Sequence, residues 1–299
     1  MGRPRSRETG GHDRALSDFL DTFDDHVEQW AGGLHLEVAA RLAGLAHPEA
    51  GDACLEIGGG DGIVAAALSS AVGPAGLVVS LDLSQRSVEL ARSRATGNTH
   101  LMKMGGEDVI FRDNTFDVVV LSRSIAYESD AYRVIGEATR TLKAGGRLAL
   151  FCRRRGLATP AEQAFLEELA TFVRQQPVNL PEQFLAYPGL ADRREMELAL
   201  RMAGLDHITF GDVVTGGRAV DAAAWNREMM GCWPAARILL GALAGGKRQQ
   251  FDERIARVMG TLGDEAYRYH HPYLLAAGVR AREATATGPV RSPIRGAAG

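Results

Sequence analysis

The segment Cys54-Leu55-Glu56-Ile57-Gly58-Gly59-Gly60-Asp61-Gly62-Ile63-Val64 constrains this chain more than any other. An apolar run ends in an acid and a turn holding four glycines, and the chain passes at once into a second apolar run. Such residues demand a strand-to-helix turn. Glycines there permit positive φ and remove the Cβ atoms that would hold a ligand off the backbone, so a bound molecule can rest on main-chain N–H groups. The spacing selects among ligands. A dinucleotide fingerprint G-x-G-x-x-G counted from Gly58 and Gly60 has its third glycine at position 63, which is Ile63, so NAD and FAD are disfavoured. The competing reading is a turn kept glycine-rich only for tight strand–helix packing.

Around this turn, short apolar strands alternate with amphipathic helices, the signature of βαβ units and a parallel sheet. Strands are expected at Ala53–Ile57, Leu77–Asp82, Thr99–Met104, Val118–Ser122 and Gly146–Cys152. Ser84 is placed to N-cap a helix running to about Ala95. Val134, Ile135, Ala138 and Leu142 mark one face of another helix, with Gly145-Gly146 as its stop. Before the core, Phe19, Leu20 and Phe23, then Leu36, Val38, Ala39 and Leu42, recur at helical spacing around Gly32-Gly33. After it, helices are expected around Phe165–Val173, Met196–Ala203 and Phe251–Leu262, with strands at His207–Val213 and Tyr273–Val279. The division that follows is a polar tail over 1–13, a helical N-terminal arm or lid over 14–50, a ligand-binding core over 51–152, a helical substrate-side insertion over 153–203, the last two strands with a helical insertion over 204–280, and a disordered tail over 281–299.

Asp82 stands 20 residues after Gly62, at the end of the second strand. A carboxylate there suits two ribose hydroxyls, because it accepts both hydrogen bonds at once. Its bland role is to end a strand or cap a helix.

The acid-x-G-x-G-x-G pattern from Glu56 to Gly62 resembles motif I of the Rossmann-like S-adenosylmethionine methyltransferases. Further segments are similar in the same order: Leu83-Ser84 with Val88 to Arg92, the loop Gly106-Glu107-Asp108-Val109-Ile110-Phe111, the strand Phe116 to Val120, and the approach Glu137 to Leu148. The nearest in style are the ubiquinone/menaquinone C-methyltransferases and actinomycete polyketide methyltransferases of natural-product biosynthesis. The resemblance implies a doubly wound seven-stranded sheet of order 3-2-1-4-5-7-6 with helical additions, and S-adenosylmethionine as cofactor. It implies that Gly58, Gly59, Gly60 and Gly62 carry the methionine moiety, Glu56 its amino group, Asp82 the ribose, and Leu83, Gly106, Glu107, Asp108 and Ser122 further cofactor contacts. Gly105 replaces the family's frequent adenine-gripping Asp, and Ala144 its usual Pro.

Charge argues against nucleic acid as the partner. Lys and Arg number 34 against 37 Asp and Glu, and the basic residues are scattered rather than gathered into a stripe. Cys54, Cys152 and Cys232 are odd in number and far apart, which suggests neither a disulfide framework nor a metal cluster, and fits a reducing cytoplasm. No run approaches the ~20 apolar residues of a membrane span. The expected partner is a small-molecule acceptor, with the oligomeric state left open.

A sulfonium methyl is already electrophilic, so the protein must orient donor and acceptor and exclude water. A hydroxyl acceptor would also call for a general base. Acceptor-side residues belong on loops at the carboxyl ends of the strands. Arg123, Ser124 and Tyr127 follow the fourth strand, in a loop that lacks the N-P-P-Y type signature of amino-methylating DNA enzymes. Arg153 opens the run Arg153-Arg154-Arg155, which could hold an anionic group, although short charge runs are more often solvated loops. Phe23, His26 and Trp30 on the arm, with Trp225 and Trp233, are candidates to line a lid. His26 is the candidate base, though a lone histidine is more often structural. His270-His271 lacks acids at metal-ligand spacing, and no metal is expected. Two rivals stay open: another reaction of the same cofactor on the same fold, such as a cyclisation, and a non-catalytic ligand-binding module.

Overall fold

The computed structural model describes residues 34–107, 109–122, 131–154, 159–175, 190, 192–221, 224–226, 245–263 and 267–282. In chain order its elements are α1 (Leu34–Ala46), β1 (Ala53–Ile57), α2 (Ile63–Val72), β2 (Leu77–Asp82), α3 (Gln85–Ala91), β3 (Thr99–Lys103), β4 (Phe116–Leu121), α4 (Ala131–Thr141), β5 (Leu142–Arg153), α5 (Pro160–Arg174), α6 (Arg193–Met202), β6 (Leu205–Arg218), α7 (Gly245–Gly260) and β7 (Arg268–Arg280). The strands form one seven-stranded sheet of order β3-β2-β1-β4-β5-β7-β6. The first five run parallel and β7 lies antiparallel between β5 and β6. This is the doubly wound α/β architecture and strand order that the sequence implied.

Period-two alternation puts successive side chains on opposite faces, and here both faces are buried. Leu55, Ile57, Val79, Leu81, Val119, Leu121, Leu148 and Leu150 pack under α4 and α6. Cys54, Val78, Val118, Val120 and Ala149 pack under α1 and α2. Val38, Ala39, Leu42, Ala43 and Ala46 form the buried stripe of α1, whereas Leu36, read from the sequence as part of that stripe, is 55% exposed. Residues 14–33 of the expected arm, and the tail before them, lie outside the described residues.

Three boundaries correct the sequence reading. The helix ahead of β5 ends at Thr141, four residues before Gly145-Gly146, because Leu142 already pairs with Phe116 across an irregular register. The glycines lie inside the strand segment, Gly145 at φ 80°. The helix capped by Ser84 ends at Ala91 rather than Ala95. β6 spans Leu205–Arg218, twice the expected length, and pairs with β7 as far as Arg218↔Arg268.

That extension shapes the site. β5 stops pairing with β7 at Arg153↔Tyr273, so the five β6–β7 pairs from Val214↔Pro272 onward project roughly 16 Å past the carboxyl edge of the sheet. One face of this ribbon carries a separate core in which Phe165, Leu169 and Phe172 of α5 meet Trp225 and Phe251, Ile255 and Met259 of α7. Phe165 stands edge-on to both Trp225 and Phe251, at centroid separations of 5.6 and 5.7 Å. Trp225 was expected to line a lid, but it is fully buried in this cap core and donates its indole N–H to the Arg268 carbonyl. An amphipathic ring of that size is best placed where the carbon face is dry and the N–H has a partner. The start of α5 is fixed by reciprocal capping: Glu162 N–H donates to the Thr159 hydroxyl and Thr159 N–H to the Glu162 carboxylate, with Pro160 at the first helical position.

Candidate active site

β1 delivers the chain to Gly58 at the carboxyl edge. Gly58, Gly60 and Gly62 adopt φ of 85°, 54° and 81°, values that glycine alone adopts readily. The Gly58 and Gly59 amides both donate to the Leu81 carbonyl, at 2.8 and 2.9 Å, which bolts the turn to the end of β2. Gly62 caps α2, and a Cβ there would lie 2.9 Å from the Ala91 methyl of α3. Packing and conformation therefore both require glycine at Gly62.

Asp82 completes the turn. Its Oδ2 accepts from Gly60 N–H at 2.8 Å and its Oδ1 from Ser84 N–H at 2.9 Å. The bland role noted in the sequence is thus present, since this side chain braces the turn. Leu83 follows, half-buried, and Ser84 caps α3 by accepting from Ser87 N–H.

Glu56 is fully buried. Register explains its surroundings, because Ser80 of β2 lies directly across from it and Ser122 follows the end of β4 on its other side. The Ser80 hydroxyl donates to Oε2 at 2.7 Å and the Ser122 hydroxyl lies 3.0 Å from Oε1. The single Ser122 proton also has the Gly58 carbonyl within reach. The hydroxyl of Ser122, expected to contact the cofactor, thus lies against both Glu56 and the first glycine of the turn.

Gly106 and Glu107 follow β3, next to β2, and both are buried. Arg133 donates to the Glu107 carbonyl and approaches its carboxylate to 3.9 Å. Arg140 of α4 ties the rest of this loop down, reaching the Val109 and Phe111 carbonyls, Asp113 and Glu137. Of the other expected site residues, Phe23, His26, Trp30, Asp108, Arg123, Ser124 and Tyr127 lie outside the described residues, as does Trp233. Arg153 is described by its backbone alone, as the end of β5.

Beside the glycine turn opens a small cleft. Its apolar walls are Val38 and Ala39 of α1, Ile63 and Val64 of α2, and Phe151 of β5, and Gly59, Asp61 and Ser122 complete it. Sequence reasoning missed Ser80, Asp61, Phe151 and the α1 wall. A lone hydroxyl in the apolar strand Leu77–Asp82 was the available signal for Ser80. His271 Nδ1 stands 3.9 Å from Glu162 Oε1, both residues being fully buried, a proximity between residues 109 apart that sequence spacing did not suggest. Among the described residues no three or more of His, Cys, Asp and Glu are grouped to hold a metal ion. No described helix is long and apolar enough to cross a membrane.

Comparison with known proteins agrees with this geometry. Residues 55–150 match the methyltransferase domain family. The chain is 28% identical over 204 residues to the ubiquinone/menaquinone biosynthesis C-methyltransferase UbiE of Pseudomonas fluorescens, covering 62% of this chain and 77% of that one. It is 33% identical over 126 residues to UbiE of Ectopseudomonas mendocina, covering 40% and 48% respectively. Among solved structures, YcgJ of Bacillus subtilis superposes with a TM-score of 0.55 at 19% identity, covering 83% of this chain and all of that one. Phosphoethanolamine N-methyltransferase 2 of Haemonchus contortus, in complex with S-adenosylhomocysteine, gives a TM-score of 0.55 at 19% identity over 89% of this chain and 60% of that one. The family match over residues 55–150 and the curated relatives indicate an S-adenosylmethionine-dependent methyltransferase, and the solved structures share its Rossmann-like fold.

Proposed function

We propose that the chain methylates a small organic acceptor of the quinone-like or polyketide-derived aromatic class, bound at the carboxyl edge of the sheet near the glycine turn. The observation that carries this reading is the similarity over 204 residues to the ubiquinone/menaquinone biosynthesis C-methyltransferase UbiE of Pseudomonas fluorescens, 28% identical.

The residues fit the cofactor. Glu56 would take its ammonium group, the main chain of Gly58–Gly62 would face the methionine moiety, and the Asp82 carboxylate at the end of β2 would accept the ribose hydroxyls. Leu83, Gly106 and Glu107 would flank the base. S-adenosylmethionine supplies the electrophilic methyl group when bound. The protein's part is orientation and exclusion of water, and orientation of this kind is worth ~7–11 kcal/mol. Ile63, Val64 and Phe151 would keep the cleft dry, and Asp61 and Ser122 are its polar side chains. A carbon acceptor, nucleophilic as a phenolate or hydroquinone anion, can attack the methyl group without a base, and the proton on the methylated carbon then leaves to a base or water as the ring regains aromaticity.

The test is transfer of labelled methyl from S-adenosylmethionine to a panel of hydroquinones, phenols and aliphatic amines, run beside a calorimetric titration of S-adenosylhomocysteine. Label on the aromatic acceptors is expected. Label confined to amines would overturn the acceptor class, and absence of S-adenosylhomocysteine binding would overturn the residue roles.

A further inference from the structure

We infer that Ser80 and Ser122 are positioning residues that aim the Glu56 carboxylate at the amino-acid end of the cofactor; this rests on the role proposed above for Glu56. A glutamate side chain has three rotatable bonds, and at this site two hydroxyls from two different strands take one oxygen each. Ser80 reaches Oε2 from β2, and Ser122 reaches Oε1 from the end of β4. All three residues are buried, at 0% exposure for Glu56 and 3% for each serine. The bracket is therefore shielded from water that would otherwise compete for the carboxylate.

The bracket is also joined to the turn. Ser122 N–H donates to the Ile57 carbonyl at 3.0 Å and its hydroxyl lies against the Gly58 carbonyl, so one residue positions both the acid and the first glycine. Ser80 fills the space where a Cβ on Gly59 would lie. Acid and turn thus share two supports, and moving either support shifts the acid relative to the turn. Neutral donors suit this task better than Lys or Arg. They hold the carboxylate without adding a positive charge of their own beside it.

The test compares two probes differing only at the amino-acid end: S-adenosylhomocysteine, which has the ammonium and carboxylate groups, and 5′-methylthioadenosine, which lacks both. For Ser80→Ala and Ser122→Ala, S-adenosylhomocysteine should bind about ten-fold more weakly, the consequence of about one lost hydrogen bond to a charged group. Binding of 5′-methylthioadenosine should change less than two-fold, about 0.4 kcal/mol by the same conversion. Ser122→Thr, which keeps the hydroxyl, should restore the preference for S-adenosylhomocysteine. Equal loss for both probes, or no loss for either, would overturn the inference. Should Ser80→Ala not fold, the ratio for Ser122→Ala decides alone. If the wild type itself binds the two probes equally, the role of Glu56 fails first, and Glu56→Gln will then leave the ratio unchanged.

Discussion

Replacing Gly59 by alanine separates two explanations for a glycine that sequence patterns treat as one. Gly58, Gly60 and Gly62 have positive φ, whereas Gly59 is not among the positive-φ residues, so an alanine there meets no backbone penalty of that kind. The obstacle is a side chain, because the new Cβ would overlap the Ser80 hydroxyl and lie 3.2 Å from Glu56 Oε2. To admit it, Ser80 must turn away and give up its 2.7 Å bond to the buried carboxylate. A hydrogen bond to a charged group is worth about 1.5–3 kcal/mol and overpacking adds about 1–3, so Gly59→Ala should cost about 3–5 kcal/mol. Ser80→Ala alone should cost only the bond. In that background the hydroxyl is gone and the Ser80 Cβ lies 3.5 Å away, an ordinary contact, so the second substitution should add no more than about 1 kcal/mol. Urea unfolding of the four proteins yields the coupling energy, expected at about 2–4 kcal/mol. Gly60→Ala, with its φ of 54°, is the control and should cost the same with or without the Ser80 hydroxyl. Additive costs for Gly59→Ala and Ser80→Ala would refute the reasoning and return Gly59 to a role set by ligand or backbone.

Two other perturbations test the framework around the site. Burial pushes the Cys152 thiol from its ordinary 9.0 up to about 12, so between those limits the unfolded chain releases a proton that the folded chain keeps. Stability attributable to this thiol should fall as pH rises above 9, by at most about 1.4 kcal/mol per pH unit. Cys152→Ala should show a shallower alkaline limb in thermal melts, and identical limbs from pH 9 to 11 would count against the burial argument. Arg140→Lys replaces a planar fork that reaches the Val109 and Phe111 carbonyls, Asp113 and Glu137 with a point cation, and should cost about 1–3 kcal/mol. Amide exchange over 109–113 should accelerate, and unchanged exchange would show that the loop is held by other contacts.

The parts of this fold that sequence could supply are those set locally. β1 and β2 were readable to the residue, because each is an apolar run closed by a polar or glycine stop and buried on both faces. Ser84 was readable as a cap, since its side chain needs only the amide three residues on. β5 was misplaced because its first residue answers to Phe116, a partner distant in sequence, and glycine punctuation carries no record of that pairing. β6 was read short for the same reason: Gly216-Gly217 argues against a strand, yet pairing with Tyr269 and His270 holds it in one. Trp225 looked like a lid residue because sequence shows an aromatic side chain without showing the carbonyl of Arg268 that satisfies it.

At the site, the divide between legible and illegible follows the same line and suggests where a sequence can be pressed harder. Glu56, the glycines and Asp82 lie on one continuous strand–turn segment and at its fixed offset, so spacing found them. Ser80, Ser122 and the α1 wall come to Glu56 and the turn across strands and layers. In a parallel strand buried on both faces, however, a single hydroxyl has no solvent to face, and its cost is offset only by a polar neighbour across the ladder. In Leu77-Val78-Val79-Ser80-Leu81-Asp82 that residue is Ser80, and if β1 and β2 are laid side by side with Ile57 against Leu81, the acid opposite it is Glu56. The same logic predicts that Ser80→Val, which puts two methyl groups in place of one hydroxyl and cannot donate, will destabilise the fold more than Ser80→Ala. It adds bulk against Gly59 and strands one oxygen of a buried carboxylate. A Ser80→Val protein as stable as Ser80→Ala in urea would mean that the space around Gly59 is less confined than the packing at Glu56 requires.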